Sequence, residues 1–153
     1  MAPRAAALLA IVLAAACASA APVSVCAVEY GLSTCPHCVH LKEVLGRMGI
    51  PLAFLDVGSD RNASEEYTRL YSALVGGQYY YVPFTVFLVN GTPRLVAVGA
   101  MEAPTIVELL ATVAANRTGV LVSTGDARRW VTDASLIQLL NATVAGRAPP
   151  PAL

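Results

Sequence analysis

The chain has 153 residues, enough for one domain of ordinary size. Ten basic residues balance ten acidic ones, charged residues are only 13% and hydrophobic residues reach 56%. No basic excess exists to neutralise phosphates, which argues against a nucleic-acid binder, and the apolar fraction is too high for a disordered chain.

The first element is a leader. Arg4 is the only charge before Glu29, Ala5 to Ala16 is apolar, and Ala18-Ser19-Ala20 has the small-x-small pattern of a signal-peptidase site. Together these describe a secretory signal peptide over residues 1–20, cut after Ala20. Two alternatives stay open. The uncharged stretch Ala5 to Val28 is long enough for an uncleaved anchor, although Pro22 interrupts it. Cys17 is a candidate lipidation site, although its preceding alanines lack the usual leucine. All three readings place the domain outside the cytoplasm, and membrane contact is expected only in the last two. The asparagines agree: Asn62, Asn90, Asn116 and Asn141 are the only four, and each begins an Asn-x-Ser/Thr sequon. They are candidate glycosylation sites, the alternative being that Asn and Thr share turns.

Strand and helix patterns then alternate. Val23 to Tyr30 reads as a strand with Val25, Ala27 and Glu29 on one face. Pro36 to about Met48 reads as a helix with Pro36 in its first turn, where a missing N–H costs nothing. Leu52 to Val57 is a short buried strand, and Ser59 or Asp60 caps a helix running to about Val75. Phe84 to Val89, Asn90-Gly91-Thr92 and Arg94 to Val98 form a hairpin, since Asn-Gly between apolar runs is a strong turn signal. Ala103 to Ala115 is a helix, Val120 to Ser123 a strand, and about Asp126 to Val144 a last helix anchored by Trp130.

Chemistry concentrates at Cys35-Pro36-His37-Cys38, at the start of the first helix. Two intervening residues put both sulfurs on one helical turn, close enough to form a disulfide. The first sulfur faces the unpaired N–H groups and the positive end of the helix dipole, which stabilise a thiolate. The dipole is worth at most ~2 kcal/mol, enough to bring a thiol from about 8.5 to roughly 7. A protonated His37 is the charge available to lower it further, and direct N–H···S bonds add to it. A purely structural disulfide is the alternative. A site drawn from Cys26, Cys35, Cys38 and His40 is a weaker metal candidate, because Cys26 sits inside a strand. Cys26 itself reads as a buried small hydrophobe or as the partner in an intermolecular disulfide. Val39 stands where c-type haem attachment needs His.

The stretch from Tyr30 to Cys38 resembles the active site of the thioredoxin superfamily. Its Tyr-x-x-x-x-Cys-Pro-x-Cys pattern is similar to glutaredoxins, and Cys-Pro-His-Cys resembles DsbA-type oxidases. Val82-Pro83 before a strand matches the family's cis-proline, Glu29 stands where the family has a buried acid, and Gly99 also fits. The resemblance spans roughly 23–115. It departs in the missing Trp before the cysteines, in the lack of a helical insertion and in the added C-terminal unit.

The resemblance implies an α/β thioredoxin fold: a central mixed sheet flanked by helices, with a C-terminal strand–helix extension. The domain would cover 21–145, with a core over 23–115, an extension over 116–145 and a frayed Pro-rich tail over 146–153. It implies a Cys35–Cys38 dithiol/disulfide with Cys35 as nucleophile and Cys38 as resolving thiol. His37 would stabilise the Cys35 thiolate, and Glu29 would relay a proton to Cys38. Pro36, Val82 and Pro83 would form the substrate-binding surface, with Tyr79, Tyr80 and Tyr81 beside it. No cofactor or metal is implied. The expected activity is thiol–disulfide exchange on extracytoplasmic proteins, in the oxidising or isomerising sense, with a separate redox partner for recycling. The alternative is a binding module that holds a metal, an iron–sulfur cluster or a protein through the same cysteines.

Overall fold

The computed structural model describes residues 22–116, 118–125 and 127–150. The leader, its cut and Cys17 lie outside the described residues. Ten elements follow in chain order: β1 (Val25–Gly31), α1 (Pro36–Arg47), β2 (Leu52–Asp56), α2 (Arg61–Leu74), β3 (Phe84–Val89), β4 (Thr92–Val98), α3 (Ala103–Ala115), β5 (Val120–Thr124), β6 (Ala127–Val131) and α4 (Ala134–Val144).

The strands form one mixed sheet ordered β2-β1-β3-β4-β5-β6. The β1–β2 and β4–β5 pairs are parallel and the other three are antiparallel. Alternation along β1 sorts the core onto two faces, as the sequence pattern predicts. Ala27 points with Phe87, Leu95 and Leu121 toward Leu41 and Leu45 of α1 and Ile106 and Leu109 of α3. Val28 and Tyr30 point with Val86 and Val96 toward α2 and α4. The result is a three-layer α/β/α domain of thioredoxin fold with a C-terminal extension.

Local chemistry explains the element ends. Asp60 caps α2 by accepting from the Ala63 N–H at 3.1 Å. Asn90 and Gly91, both at positive φ, make the two-residue turn of the β3–β4 hairpin. The strand resumes at Thr92 and not at Arg94: Leu88 pairs with Pro93 and Phe87 with Leu95, so Arg94 is the extra residue of a bulge. Its guanidinium reaches the Val113 carbonyl at 3.1 Å and that of Gly119 at 3.1 Å, tying the end of α3 to the start of β5.

The last helix is shorter than the sequence pattern predicts. Residues 127–131 are not its first turns; they form β6 against β5, with Leu121 opposite Trp130. Asp133 then starts α4, accepting from the Ser135 N–H at 2.8 Å and the Leu136 N–H at 3.1 Å. Trp130 therefore packs from a strand, against the α1/α3 side of the core. Fraying does not begin at Gly146 either. Arg147 pairs with Glu66 at 2.8 Å, the same carboxylate accepts from the Tyr30 hydroxyl at 3.0 Å, and Ala148 packs on the core.

Candidate active site

The site lies at one end of the sheet, where β1, β4 and β5 finish and β3 begins. Register brings its parts together: Tyr30 is opposite Phe84, so the preceding Pro83 sits beside Gly31 at the end of β1. The Val82–Pro83 bond is cis and Pro83 is buried. The Gly99 N–H donates to the Pro83 carbonyl at 2.8 Å, which ties this loop to the end of β4. Crevices at the carboxyl ends of parallel strands are where α/β sheets commonly bind ligands.

Cys35 is the N-cap residue of α1 and is half-buried. Cys38 is fully buried one turn on, and both are free thiols, the reduced form of the pair. Burial alone would raise the Cys35 thiol. The Cys38 N–H, the Cys38 thiol and the His37 N–H outweigh it and hold Cys35 below the ordinary thiol range. Burial pushes the Cys38 thiol up to about 12, with the neighbouring Cys35 and Glu29 adding to the effect. The environment thus shifts the two thiols in opposite directions, Cys35 down and Cys38 up.

His37 contributes its main-chain N–H to the Cys35 sulfur. Its exposed imidazole faces the adjoining cleft and has no hydrogen-bond or ion-pair partner among the described residues. The backbone N–H groups at this sulfur are those expected from its place at the start of the helix. Glu29 is fully buried, and both carboxylate oxygens lack a hydrogen-bond partner. Burial raises its pKa to about 8, with Lys42 pulling the other way.

Gly31 sets the depth of the pair. A Cβ there would lie 2.9 Å from Cys38 Sγ and 3.0 Å from Phe54 Cε2. Gly31→Ala is expected to destabilise the reduced protein by about 1–3 kcal/mol, because the helix or strand must move apart. Urea unfolding measures this, and an unchanged midpoint contradicts the close approach. Asp56 at the end of β2 supports the same loop, accepting from the Ser33 N–H at 3.3 Å and the Gly58 N–H at 2.9 Å. The sequence pattern marked neither residue, because each acts through a neighbour distant in the chain.

A cleft of about 610 Å³ opens beside the pair, lined by His37, Tyr79, Tyr81, Val82, Gly99 and Gly125 among others. Tyr79 and Tyr81 take the expected place, whereas Tyr80 turns away to bond Ser72 Oγ at 2.6 Å. The Tyr67 hydroxyl donates to the Tyr81 carbonyl at 2.9 Å and fixes this loop to α2. Thr124 and Gly125 come from the C-terminal extension, which both widens the sheet and walls the cleft. Arg129 of β6 donates to the Leu74 carbonyl, so the extension also caps α2 just before the cleft-lining loop.

Other candidate residues lie elsewhere. Pro36 is exposed in the first turn of α1. Cys26 is a half-buried free thiol near the opposite end of β1, and burial raises its pKa. His40 pairs with Glu102 at 2.7 Å, joining α1 to the start of α3. Among the described residues, no group of three or more His, Cys, Asp or Glu side chains is placed to hold a metal ion. Asn62 and Asn90 are exposed, and Asn116 and Asn141 are half-buried. Asn90 Oδ1 accepts from the Ser24 N–H at 2.9 Å and Asn116 Oδ1 from the Thr118 N–H at 3.2 Å, so both serve local turns.

A thioredoxin fold with a Cys-x-x-C pair at the α1 N-terminus and a cis-proline beside it defines a thiol–disulfide redox class. Within it, residues 27–87 match the family model described as glutaredoxin, and this stretch is a glutaredoxin-like redox domain. No curated protein was found to match the chain.

Proposed function

We propose that the protein is an exported thiol–disulfide oxidoreductase that oxidises or isomerises cysteines of extracytoplasmic proteins. The observation that carries the redox part is the asymmetry of the pair: an accessible Cys35 held below the ordinary thiol range, and a buried Cys38 held far above it. In the oxidising direction a substrate thiolate attacks Cys35 of the Cys35–Cys38 disulfide, forming a mixed disulfide and releasing Cys38. A second substrate thiolate then displaces Cys35. Two electrons pass from the substrate dithiol to the pair, and a separate disulfide oxidant must remove them.

The direction follows from which form is stabilised. Donors to the Cys35 thiolate favour the reduced pair, which makes its disulfide the stronger oxidant. Val82 and Pro83 present the substrate's extended chain to Cys35, with Tyr79 and Tyr81 beside it. Export is supported by the leader over residues 1–20 and by the four sequons at Asn62, Asn90, Asn116 and Asn141, the latter as glycan sites. A domain that starts at residue 21, after the leader, is part of the same reading.

The test is disulfide formation in a reduced, unfolded protein with a glutathione redox buffer. The wild-type chain accelerates it and Cys35→Ser reduces it to the uncatalysed rate. Full activity in Cys35→Ser rejects the reading.

A further inference from the structure

Glu29 and Thr85 stand directly opposite each other in the β1–β3 register, beneath α1. Both are fully buried, and Glu29 Oε1, Glu29 Oε2 and Thr85 Oγ1 have no hydrogen-bond partner. Opposed residues of an antiparallel pair have Cβ atoms about 4.5–5.5 Å apart, so a hydroxyl and a carboxyl there share one small volume. Buried polar groups without partners are costly, and native proteins satisfy them with protein groups or ordered water. No direct bond joins these two, and one bridging water would give each a partner.

The same face leads to the sulfur. Gly31 lies two residues beyond Glu29 on the same face of β1, and a Cβ built there would lie 2.9 Å from Cys38 Sγ. Thr85, Glu29 and Cys38 therefore follow one another along the underside of α1. The other groups around the carboxyl are Phe54 in register on β2, Ala97 beyond Thr85 on β4, and Cys35 and Lys42 from α1.

We propose that Thr85 is a positioning residue: its hydroxyl donates to a water shared with the Glu29 carboxyl and so sets the pH at which Glu29 exchanges a proton with Cys38. This rests on the redox reading above. When the Cys35–Cys38 bond breaks under attack, Cys38 leaves as a thiolate and takes the proton of the Glu29 carboxylic acid. In the reverse direction Cys38 gives its proton to the Glu29 carboxylate as it attacks the mixed disulfide. Cys38 and the substrate sulfur exchange places on Cys35, and no further co-reactant enters this step.

A hydroxyl-borne donor favours the ionised carboxyl, so removing it raises the pH of ionisation. Hydrogen bonds to charged groups are strong enough to move this by about one pH unit. The carboxyl stretch of Glu29 is followed by infrared difference spectroscopy from pH 5 to 10 in the reduced protein, with Glu29→Gln assigning the band. Thr85→Val is expected to move the midpoint up by about one unit and Thr85→Ser to leave it in place. The pH profile of Cys38 attack on a preformed mixed disulfide should move with it. Thr85→Ala serves if the valine variant fails to fold. An unmoved midpoint in Thr85→Val or Thr85→Ala, or an equal shift in Thr85→Ser, overturns the role of Thr85 and leaves the redox reading standing. The spectroscopic midpoint is read whether or not the protein exchanges disulfides. A midpoint that moves in Thr85→Val, together with a wild-type protein that shows no exchange activity, rejects the redox reading alone.

Discussion

Glu29→Gln is expected to stabilise the reduced protein most strongly above pH 8 and hardly at all near pH 4.5. An ordinary Glu loses its proton near 4.3, whereas burial raises Glu29 in the folded chain to about 8. Between these values the folded state binds more protons than the unfolded state. The free energy of unfolding therefore falls as pH rises through this window. Below it both states hold the proton and nothing is lost; above it the folded state carries a buried carboxylate. The cost is on the order of 3–5 kcal/mol, a large fraction of the stability of a domain this size. A Gln side chain has no charge to bury, so its stability curve is flat across the same range. Urea unfolding at pH 5, 7 and 9, with both cysteines reduced, measures the divergence. Parallel curves for the two proteins would show that Glu29 ionises as freely folded as unfolded.

Cys38→Ser is expected to turn the protein into a covalent trap. Cys35 keeps its place at the α1 N-terminus and the N–H groups of residues 37 and 38, so it still attacks a substrate disulfide. The serine cannot attack the resulting mixed disulfide, which then persists. Turnover falls to the uncatalysed level while adducts accumulate, visible on non-reducing gels and released by dithiothreitol. Cys35→Ser forms no such adducts, because the remaining Cys38 is buried and held up to about 12. Alkylation at pH 7 gives an independent contrast: in the wild type, Cys35 reacts and Cys38 does not. Equal alkylation of both would contradict the asymmetry on which the proposed function stands.

Much of the first hundred residues was legible because its signals are local. The Val25, Ala27, Glu29 alternation marks a strand with two faces, and the faces found are those expected. Pro36 and Asp60 mark helix starts, and Asn90-Gly91 marks a tight turn, because each acts on its own backbone. The Cys35–Cys38 spacing announces redox chemistry for the same reason: one helical turn brings the sulfurs together. Residues 127–131 were less legible. Their Ala-Arg-Arg-Trp-Val run suits either state, and pairing with β5 decides for the strand. Asp133 carried the usable signal, since its side chain caps the helix that follows.

By itself the sequence determined the order of elements up to β5 and the reactive pair, while the proline and the acid on β1 were marked only by the family resemblance. The first two depend on periodicity, spacing and the conformational limits of Pro, Gly and Asn, all of which operate within a few residues. Tertiary structure alone decided what those groups are worth. It buried Glu29 and Cys38 and raised both, left the imidazole of His37 outside the cluster, set Thr85 opposite Glu29, required Gly31 to be bare, and brought Thr124 and Gly125 to the cleft. Burial, register and close approach join residues far apart in the chain, and only the packed sheet brings them together.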